Sequence, residues 1–286
     1  MRTPALWRAF DCPVCGCRQE ATEVFVRKTY PILRCSGCGV GTTQLPATFS
    51  PAGIYTSAYF QGGQADGYAD YAGAERILRG EFQRVVRDLR SAGWHSGRLL
   101  ELGCAYGFFL EEAKPYFEVS GVEICENAVH FCQARGLDVK HGALDEECIR
   151  QPALDVAVML DVIEHLAEPD RVLRLLHRGM RPGAALLIST GDWEAWLSRA
   201  MGRHWRLMTP PQHLFFFSPR TLSLLLSRTG FEVVAWRRPW KKIPLDLAVF
   251  QLGRMLGMAN PPNWKQVRVS IPVNLFDAFR MLAVRR

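Results

Sequence analysis

The sequence predicts an α/β fold, a parallel sheet with helices on both faces, carrying a small metal-binding module at its N-terminus. From Gly93 onward, short apolar runs alternate with segments of helical periodicity, the pattern of a parallel sheet covered on both sides. Ahead of that, four of the nine cysteines sit in two tight pairs while the others are scattered singly. In a reducing compartment such a division marks a metal site and ordinary thiols rather than disulfides. A chain of 286 residues, 48% hydrophobic and 22% charged, is long enough to bury this core and still carry an appendage.

Taken in order, residues 23–26 and 30–34 read as strands between the cysteine pairs. Residues 42–75 are rich in turns and aromatic side chains, among them Tyr55, Tyr59, Tyr68 and Tyr71. Ile77, Leu78, Phe82, Val85, Val86 and Leu89 recur at helical spacing and predict an amphipathic helix over 75–92. Strands are expected at 98–102, 118–124, 138–141, 154–160, 184–189, 231–236 and 278–284. Helices are expected at 108–114, 126–135, 169–180 and 219–229, the third opening on a proline. There are no internal repeats and no low-complexity tracts.

The net charge is +7, fed largely by Arg237, Arg238, Lys241, Lys242, Arg285 and Arg286. A basic balance suits nucleic acid, an anionic membrane surface or a phosphorylated substrate, and equally a plain solvated surface. The first ten residues hold no apolar signal-peptide core, and the longest apolar runs, 154–160 and 245–250, are too short to span a bilayer. A cytoplasmic location is therefore expected.

The sharpest motif is Leu99-Leu100-Glu101-Leu102-Gly103-Cys104-Ala105-Tyr106-Gly107. An apolar strand ends in an acid and turns through two glycines into a helix, as a chain must where its backbone bends tightly against a ligand. The spacing differs from the dinucleotide fingerprint, and no basic residue waits for a pyrophosphate. Glu101 would repel a phosphate but accept hydrogen bonds from an ammonium, which favours a sulfonium-bearing amino acid. The next strand ends in Glu123, 22 positions on, where a carboxylate can take both hydroxyls of a ribose.

With the strand motif Asp155-Val156-Ala157-Val158-Met159-Leu160-Asp161-Val162-Ile163-Glu164-His165 and the turn Met180-Arg181-Pro182-Gly183-Ala184, the segment 97–231 resembles the class I S-adenosylmethionine-dependent methyltransferase family. It departs from the family in reading Pro-Gly-Ala where Pro-Gly-Gly is common. The resemblance implies a Rossmann-like, seven-stranded sheet. It implies a donor pocket in which Glu101, Gly103, Cys104, Ala105 and Gly107 line the amino-acid end. Glu123 and Ile124 would hold ribose and adenine, Gly142 and Ala143 would flank the adenine, and Leu160 and Asp161 would close the pocket.

Asp161, Glu164 and His165 stand at i, i+3 and i+4, one face of a helical turn. The arrangement is similar to that of ubiquinone-biosynthesis O-methyltransferases, where the matching residues are associated with a divalent cation. The alternative is that Glu164 and His165 brace the donor pocket by hydrogen bonds. Further on, Gly202-Arg203-His204-Trp205 and Pro210-Pro211-Gln212-His213-Leu214-Phe215-Phe216-Phe217-Ser218 also resemble that branch. His213 is the general-base candidate, since an imidazole titrates near working pH; it suits structural packing equally well. Asp161, Glu164, His165 and His213 are thus the candidate catalytic residues. Tyr55, Tyr59, Tyr68, Tyr71 and Trp205 are the candidate acceptor walls.

Cys12-Pro13-Val14-Cys15-Gly16 and Cys35-Ser36-Gly37-Cys38-Gly39 are two C-x-x-C-G knuckles with 19 residues between Cys15 and Cys35. Four thiolates in this spacing fit a tetrahedral structural zinc, with a redox or iron–sulfur role as the alternative. The organisation expected is a zinc ribbon over 1–45, an aromatic lid and N-terminal helix over 46–92, and a methyltransferase domain over 93–286 with an insertion at about 237–270. In that insertion Leu245, Val249, Phe250, Leu252 and Leu256 suggest an apolar helix beside tryptophan and basic residues. Residues 237–258 would suit a peripheral membrane contact, an apolar lid or core packing.

The expected activity is methyl transfer to a small-molecule or glycan- or lipid-linked acceptor, at oxygen. The alternative is a nucleic-acid or protein methyltransferase that grips its substrate by the ribbon. Against nucleic acid stands the absence of an Asn/Asp-Pro-Pro-Tyr motif and of an aromatic–arginine stretch for stacking bases. A binding module without turnover is the remaining reading. No motif speaks to the oligomeric state.

Overall fold

The computed structural model describes residues 10–19, 21–46, 73–149, 153–244 and 270–286. The N-terminal part contributes β1 (Phe10–Asp11), β2 (Arg18–Gln19), β3 (Ala21–Arg27), β4 (Tyr30–Cys35) and β5 (Gly41–Thr43). There follow α1 (Glu75–Ser91), β6 (Arg98–Leu102), α2 (Phe108–Ala113), β7 (Glu118–Glu123), α3 (Glu126–Ala134), β8 (Asp138–His141) and β9 (Leu154–Leu160). The chain continues through a 3-10 turn at Ile163–His165, α4 (Pro169–Gly179), β10 (Met180–Gly191), α5 (Trp196–Met201) and β11 (Phe215–Phe216). It closes with α6 (Pro219–Arg228), β12 (Phe231–Arg237), β13 (Lys241–Pro244), β14 (Ser270–Val273) and β15 (Ala278–Arg285).

The main sheet has seven strands in the order β12-β15-β10-β9-β6-β7-β8. The run from β8 to β10 is parallel, and β15 lies antiparallel to both its neighbours. This is the Rossmann-like sheet expected. Because strand side chains alternate, the continuous apolar strands feed two layers, as a sheet buried on both faces requires. Leu99, Val156, Val158 and Leu187 pack with Val85, Val86 and Leu89 of α1, Phe109 and Leu110 of α2, and Val129 of α3. Leu100, Ala157, Met159, Leu186 and Ile188 pack instead with Leu173 and Leu176 of α4 and Leu222, Leu225 and Leu226 of α6.

The second apolar layer runs on into the cysteine module, taking in Cys12, Val14, Cys35, Cys38 and Val40. The module's own sheet is ordered β11-β5-β4-β3, so its outer strand comes from Phe215 and Phe216. The described residues of this module, 10–19 and 21–46, are therefore built into the enzyme domain rather than strung ahead of it. Two arginines of α6 tie the knuckles down: Arg220 donates to the Cys38 carbonyl at 2.7 Å and Arg228 to that of Val14 at 2.8 Å.

Several expectations need adjusting. The strand foreseen at 184–189 is the middle of β10, whose pairing with β9 is interrupted between Met180 and Ala185. The short elements β1, β2, β5, α5, β11, β13 and β14 carry too few residues to show a period. β13 and β14 pair antiparallel and bracket the insertion. The apolar helix expected around 245–256, and with it most of the 237–258 membrane segment, lies outside the described residues. So do Tyr55, Tyr59, Tyr68 and Tyr71. No helix among the described residues is long and apolar enough to cross a membrane.

Candidate active site

From β6 the chain moves outward to β7 and β8, then returns to the other side of β6 as β9. At such a reversal the loops after the central strands diverge and leave a crevice at the strands' C-terminal ends. The glycine loop, Glu123 and the Leu160–Asp161 step all stand there.

The loop after β6 makes three left-handed steps, at Gly103 (φ 67°), Ala105 (φ 46°) and Gly107 (φ 73°). A Cβ on Gly103 would sit 2.6 Å from Val162 Cγ2, and one on Gly107 would sit 2.5 Å from Leu137 Cδ1. Both positions therefore require glycine twice over, for backbone sign and for space. Cys104 is buried, and its sulfur faces Gly121 under the loop, so this residue meets a ligand only through its backbone.

Glu123 holds the loop in place. Its Oε2 accepts from the Ala105 amide and its Oε1 from the Cys125 amide, each at 2.8 Å. Burial raises its pKa against the lowering effect of these amides. A carboxylate has about four acceptor directions, so the same two oxygens can take a pair of hydroxyls as well. Glu101 is 3% exposed, and its Oε2 has no hydrogen-bond partner among the described residues. Burial, then the nearby Cys132 and Glu123, push its pKa well up. In its ionised form such a buried carboxylate is costly unless a donor reaches it. The ammonium of S-adenosylmethionine meets that need and a phosphate would worsen it, so the residues fit this donor.

Around the adenine end, Gly142 donates to the Glu123 carbonyl at 2.9 Å, and a His141 ring nitrogen lies 3.0 Å from the Ile124 carbonyl. Ile124 is 39% exposed, and Ala143 is exposed beside it. The structure thus brings Gly142 and the His141 ring to the end of β7, next to Ile124. Replacing Gly103 by alanine should cost about 1–3 kcal/mol of stability from the backbone sign alone. It should also weaken donor binding measurably by calorimetry, because the loop must shift away from Val162.

On the other side of the crevice the expected helical face does not form. Asp161 has φ 57°, a left-handed conformation that ends β9, and helical geometry begins only at Ile163. Asp161 is instead held by Ser189, whose hydroxyl donates to its Oδ1 at 2.8 Å. The group drawn together is Glu164, His165 and His213, one ligand atom of each lying within 4.8 Å of the others. Asp161 therefore does not complete the cation site foreseen with Glu164 and His165; His213 takes that place.

The two imidazoles meet edge to face, with centroids 4.7 Å apart. His165 Nδ1 donates to the Gln212 carbonyl at 2.9 Å, which sets the tautomer with its lone pair on Nε2. His213 hydrogen-bonds the Leu207 backbone. Burial lowers both pKa values, that of His213 well below the usual 6.5, with His165 lowering it further and Asp161 opposing. Both rings are consequently neutral near pH 7, a state that suits a proton acceptor or a metal ligand.

Trp205 was expected against an acceptor. It is only 3% exposed, and its indole N–H donates to Asp277 at 2.9 Å. Arg206 grips the same carboxylate through two bonds of 2.9 Å, so Trp205 is part of a buried strut rather than an open wall. Ser189, Asp277 and the carbonyls of Leu207 and Gln212 carry no signal in the sequence, since each acts through a contact distant along the chain.

In the cysteine module, Cys12 and Cys38 sulfurs lie 3.6 Å apart and those of Cys15 and Cys35 3.8 Å. All four fall within 4.8 Å of one another. A zinc tetrahedron with arms of about 2.3 Å puts its sulfurs about 3.8 Å apart, so the four fit that ion. Cys17 is exposed and lies outside the group.

A family model described as a methyltransferase domain matches residues 74–235. A probable S-adenosylmethionine-dependent methyltransferase of Mycolicibacterium smegmatis is 32% identical over 138 residues, 47% of this chain and 52% of that protein. A ubiquinone biosynthesis O-methyltransferase of Ruegeria pomeroyi is 28% identical over 201 residues, 61% of this chain and 78% of that one. The counterpart of Idiomarina loihiensis is covered over 65% of its length. The chain thus spans between 52% and 78% of the length of these three relatives. Among solved structures, a methyltransferase of Archaeoglobus fulgidus aligns with TM-score 0.51 at 20% identity, covering 75% of this chain and 99% of that one. Magnesium protoporphyrin IX methyltransferase of Synechocystis aligns with TM-score 0.51 at 14% identity, covering 82% and 98%. These likenesses concern the fold.

Proposed function

Because the chain belongs to the methyltransferase domain family, we propose that it transfers the methyl group of S-adenosylmethionine to an oxygen of a small-molecule or glycan- or lipid-linked acceptor. The observation that carries the acceptor side is the neutral His165–His213 pair beside Asp161, past the C-terminal end of β9. Methyl transfer is an in-line displacement, so much of the rate comes from holding the two reactants aligned. An oxygen acceptor must also lose a proton, and a neutral imidazole within reach can take it. In this reading Glu101 holds the donor's ammonium and Glu123 its ribose. Ile124, Gly142 and Ala143 cover the adenine, and His213 takes the acceptor's proton, with Asp161 stabilising the imidazolium. S-adenosylmethionine supplies the activated methyl group.

A second reading of the acceptor side is supported by the paired ring bonds to carbonyls, the pattern that orients metal-binding histidines. Glu164, His165 and His213 would then hold a divalent cation that binds the acceptor oxygens. The ribbon cysteines Cys12, Cys15, Cys35 and Cys38 would hold a structural zinc with no coordination position open to substrate. Metal analysis of the purified chain is expected to give one zinc, lost in Cys35→Ser together with part of the thermal stability.

The test is incubation with methyl-labelled S-adenosylmethionine and a fractionated metabolite extract. Label is expected in a hydroxyl-bearing small molecule as a base-stable ether. Label confined to nucleic acid or protein, or attached at nitrogen or carbon, would refute the assignment. Chelation with and without added magnesium separates the two acceptor-side readings.

A further inference from the structure

The strand β5 of the cysteine module ends directly behind the His213 segment. Thr43 Oγ1 donates to the His213 carbonyl at 2.6 Å, and the Thr43 amide donates to the Leu214 carbonyl at 2.9 Å. Thr42 Oγ1 donates to that same Leu214 carbonyl at 3.1 Å. Beyond these bonds β5 pairs with β11, Thr42 facing Phe215 and Gly41 facing Phe216. Both threonines are only 6% exposed, so water does not compete for these contacts.

The lattice does not stop at the carbonyls. The Leu214 amide donates to the Glu164 carbonyl at 2.8 Å, and the His165 ring donates to the Gln212 carbonyl at 2.9 Å. Each histidine is thereby fixed through the backbone of the other's segment, and the outer side of that backbone is held by Thr42 and Thr43. The module itself is anchored by Arg220 and Arg228 through the Cys38 and Val14 carbonyls.

We infer that Thr43, assisted by Thr42, is a positioning residue for the acceptor-side histidines, and that the cysteine module serves the reaction by presenting these two hydroxyls. A residue before a reacting side chain needs no chemistry of its own; a displacement of about 1 Å at the histidine is enough to cost turnover. Threonine suits the post, since its branched carbon favours the strand while its hydroxyl bonds outward. The inference rests on the reading of His213 as the group that meets the acceptor.

The experiment uses the full chain, loaded with zinc, and the labelled-methyl incubation described above. Thr43→Val keeps the side-chain shape and removes only the hydroxyl. It is expected to slow transfer about tenfold at saturating donor, with the S-adenosylhomocysteine dissociation constant changed less than about twofold. Thr43→Ser restores the hydroxyl and should recover most of the rate. The imidazole nitrogen resonances of His165 and His213 should move in Thr43→Val and return in Thr43→Ser. Thr42→Val, which spares both Thr43 bonds, should give a smaller change in the same direction and serves if Thr43→Val fails to fold. Unchanged rate and unchanged imidazole signals in a folded Thr43→Val or Thr42→Val protein would overturn the inference. A His213→Ala protein that transfers normally would remove the histidine's role instead; the positioning claim is then decided by the imidazole signals alone.

Discussion

Glu101→Gln is expected to weaken S-adenosylmethionine binding by about 10- to 150-fold, the size of one buried hydrogen bond to a charged group. The amide keeps the shape of the side chain and offers one oxygen, but it cannot become an anion opposite the donor's ammonium. A proton effect should accompany the loss. Burial holds the Glu101 carboxyl well above its ordinary 4.5, so it stays protonated further up the pH scale than an exposed glutamate. A cation arriving beside it favours the ionised form and lowers that pKa. Binding therefore releases a proton in the window between the two values, and affinity rises with pH through that window. Calorimetry in buffers of differing ionisation enthalpy should show the release in the wild-type chain and none in Glu101→Gln. A binding enthalpy independent of buffer throughout the acid-to-neutral range would exclude Glu101 as the group that meets the ammonium.

His213→Ala should leave donor affinity within about twofold and lower the rate of methyl transfer by about 10²- to 10⁴-fold, the usual contribution of a positioned acid–base group. The wild-type pH profile has a defined sign. Burial depresses the pKa of both His165 and His213, that of His213 furthest, so each stays neutral and competent below the ordinary 6.5. The rate should accordingly hold from neutral pH down past 6.5 and fall only on the acid side of it, as the rings take up protons. Near-normal turnover in His213→Ala would remove this residue from the chemistry. A profile already falling between pH 8 and 7 would show that some other group sets the limit.

What could be read from the sequence follows from how local each signal was. β6 and β9 were legible to the residue because each is an apolar run closed off by a turn, and a buried parallel strand needs little else. The glycine loop was legible because its backbone signs demand particular residues at Gly103 and Gly107. The cysteine cluster was legible from spacing alone. Asp161 was misplaced because i, i+3, i+4 spacing assumes a helix that its left-handed backbone interrupts, and aspartate tolerates that conformation without announcing it. The partnership of Glu164 and His165 with His213 was hidden by the 47 residues that lie between the two histidines. Trp205 looked like an acceptor wall because the Asp277 that buries its indole lies 72 residues further on. β5 is a run of Gly41, Thr42 and Thr43 with no apolar alternation, and it is a strand only because β4 and β11 flank it.

The pairing of β5 with β11 also sets an order of events during synthesis. Thr42 and the Leu214 carbonyl it holds are 172 residues apart, so the N-terminal sheet leaves the ribosome long before its outer strand exists. Until Phe215 and Phe216 emerge, the edge of β5 has unpaired amides and carbonyls, the kind of edge that recruits other chains. Completion of the N-terminal sheet is thus a late, long-range closure, slow for the entropic reasons that make distant contacts slow. A fragment ending before residue 215 should aggregate where the full chain stays dispersed, and supplying the 207–230 stretch in the same polypeptide should rescue it.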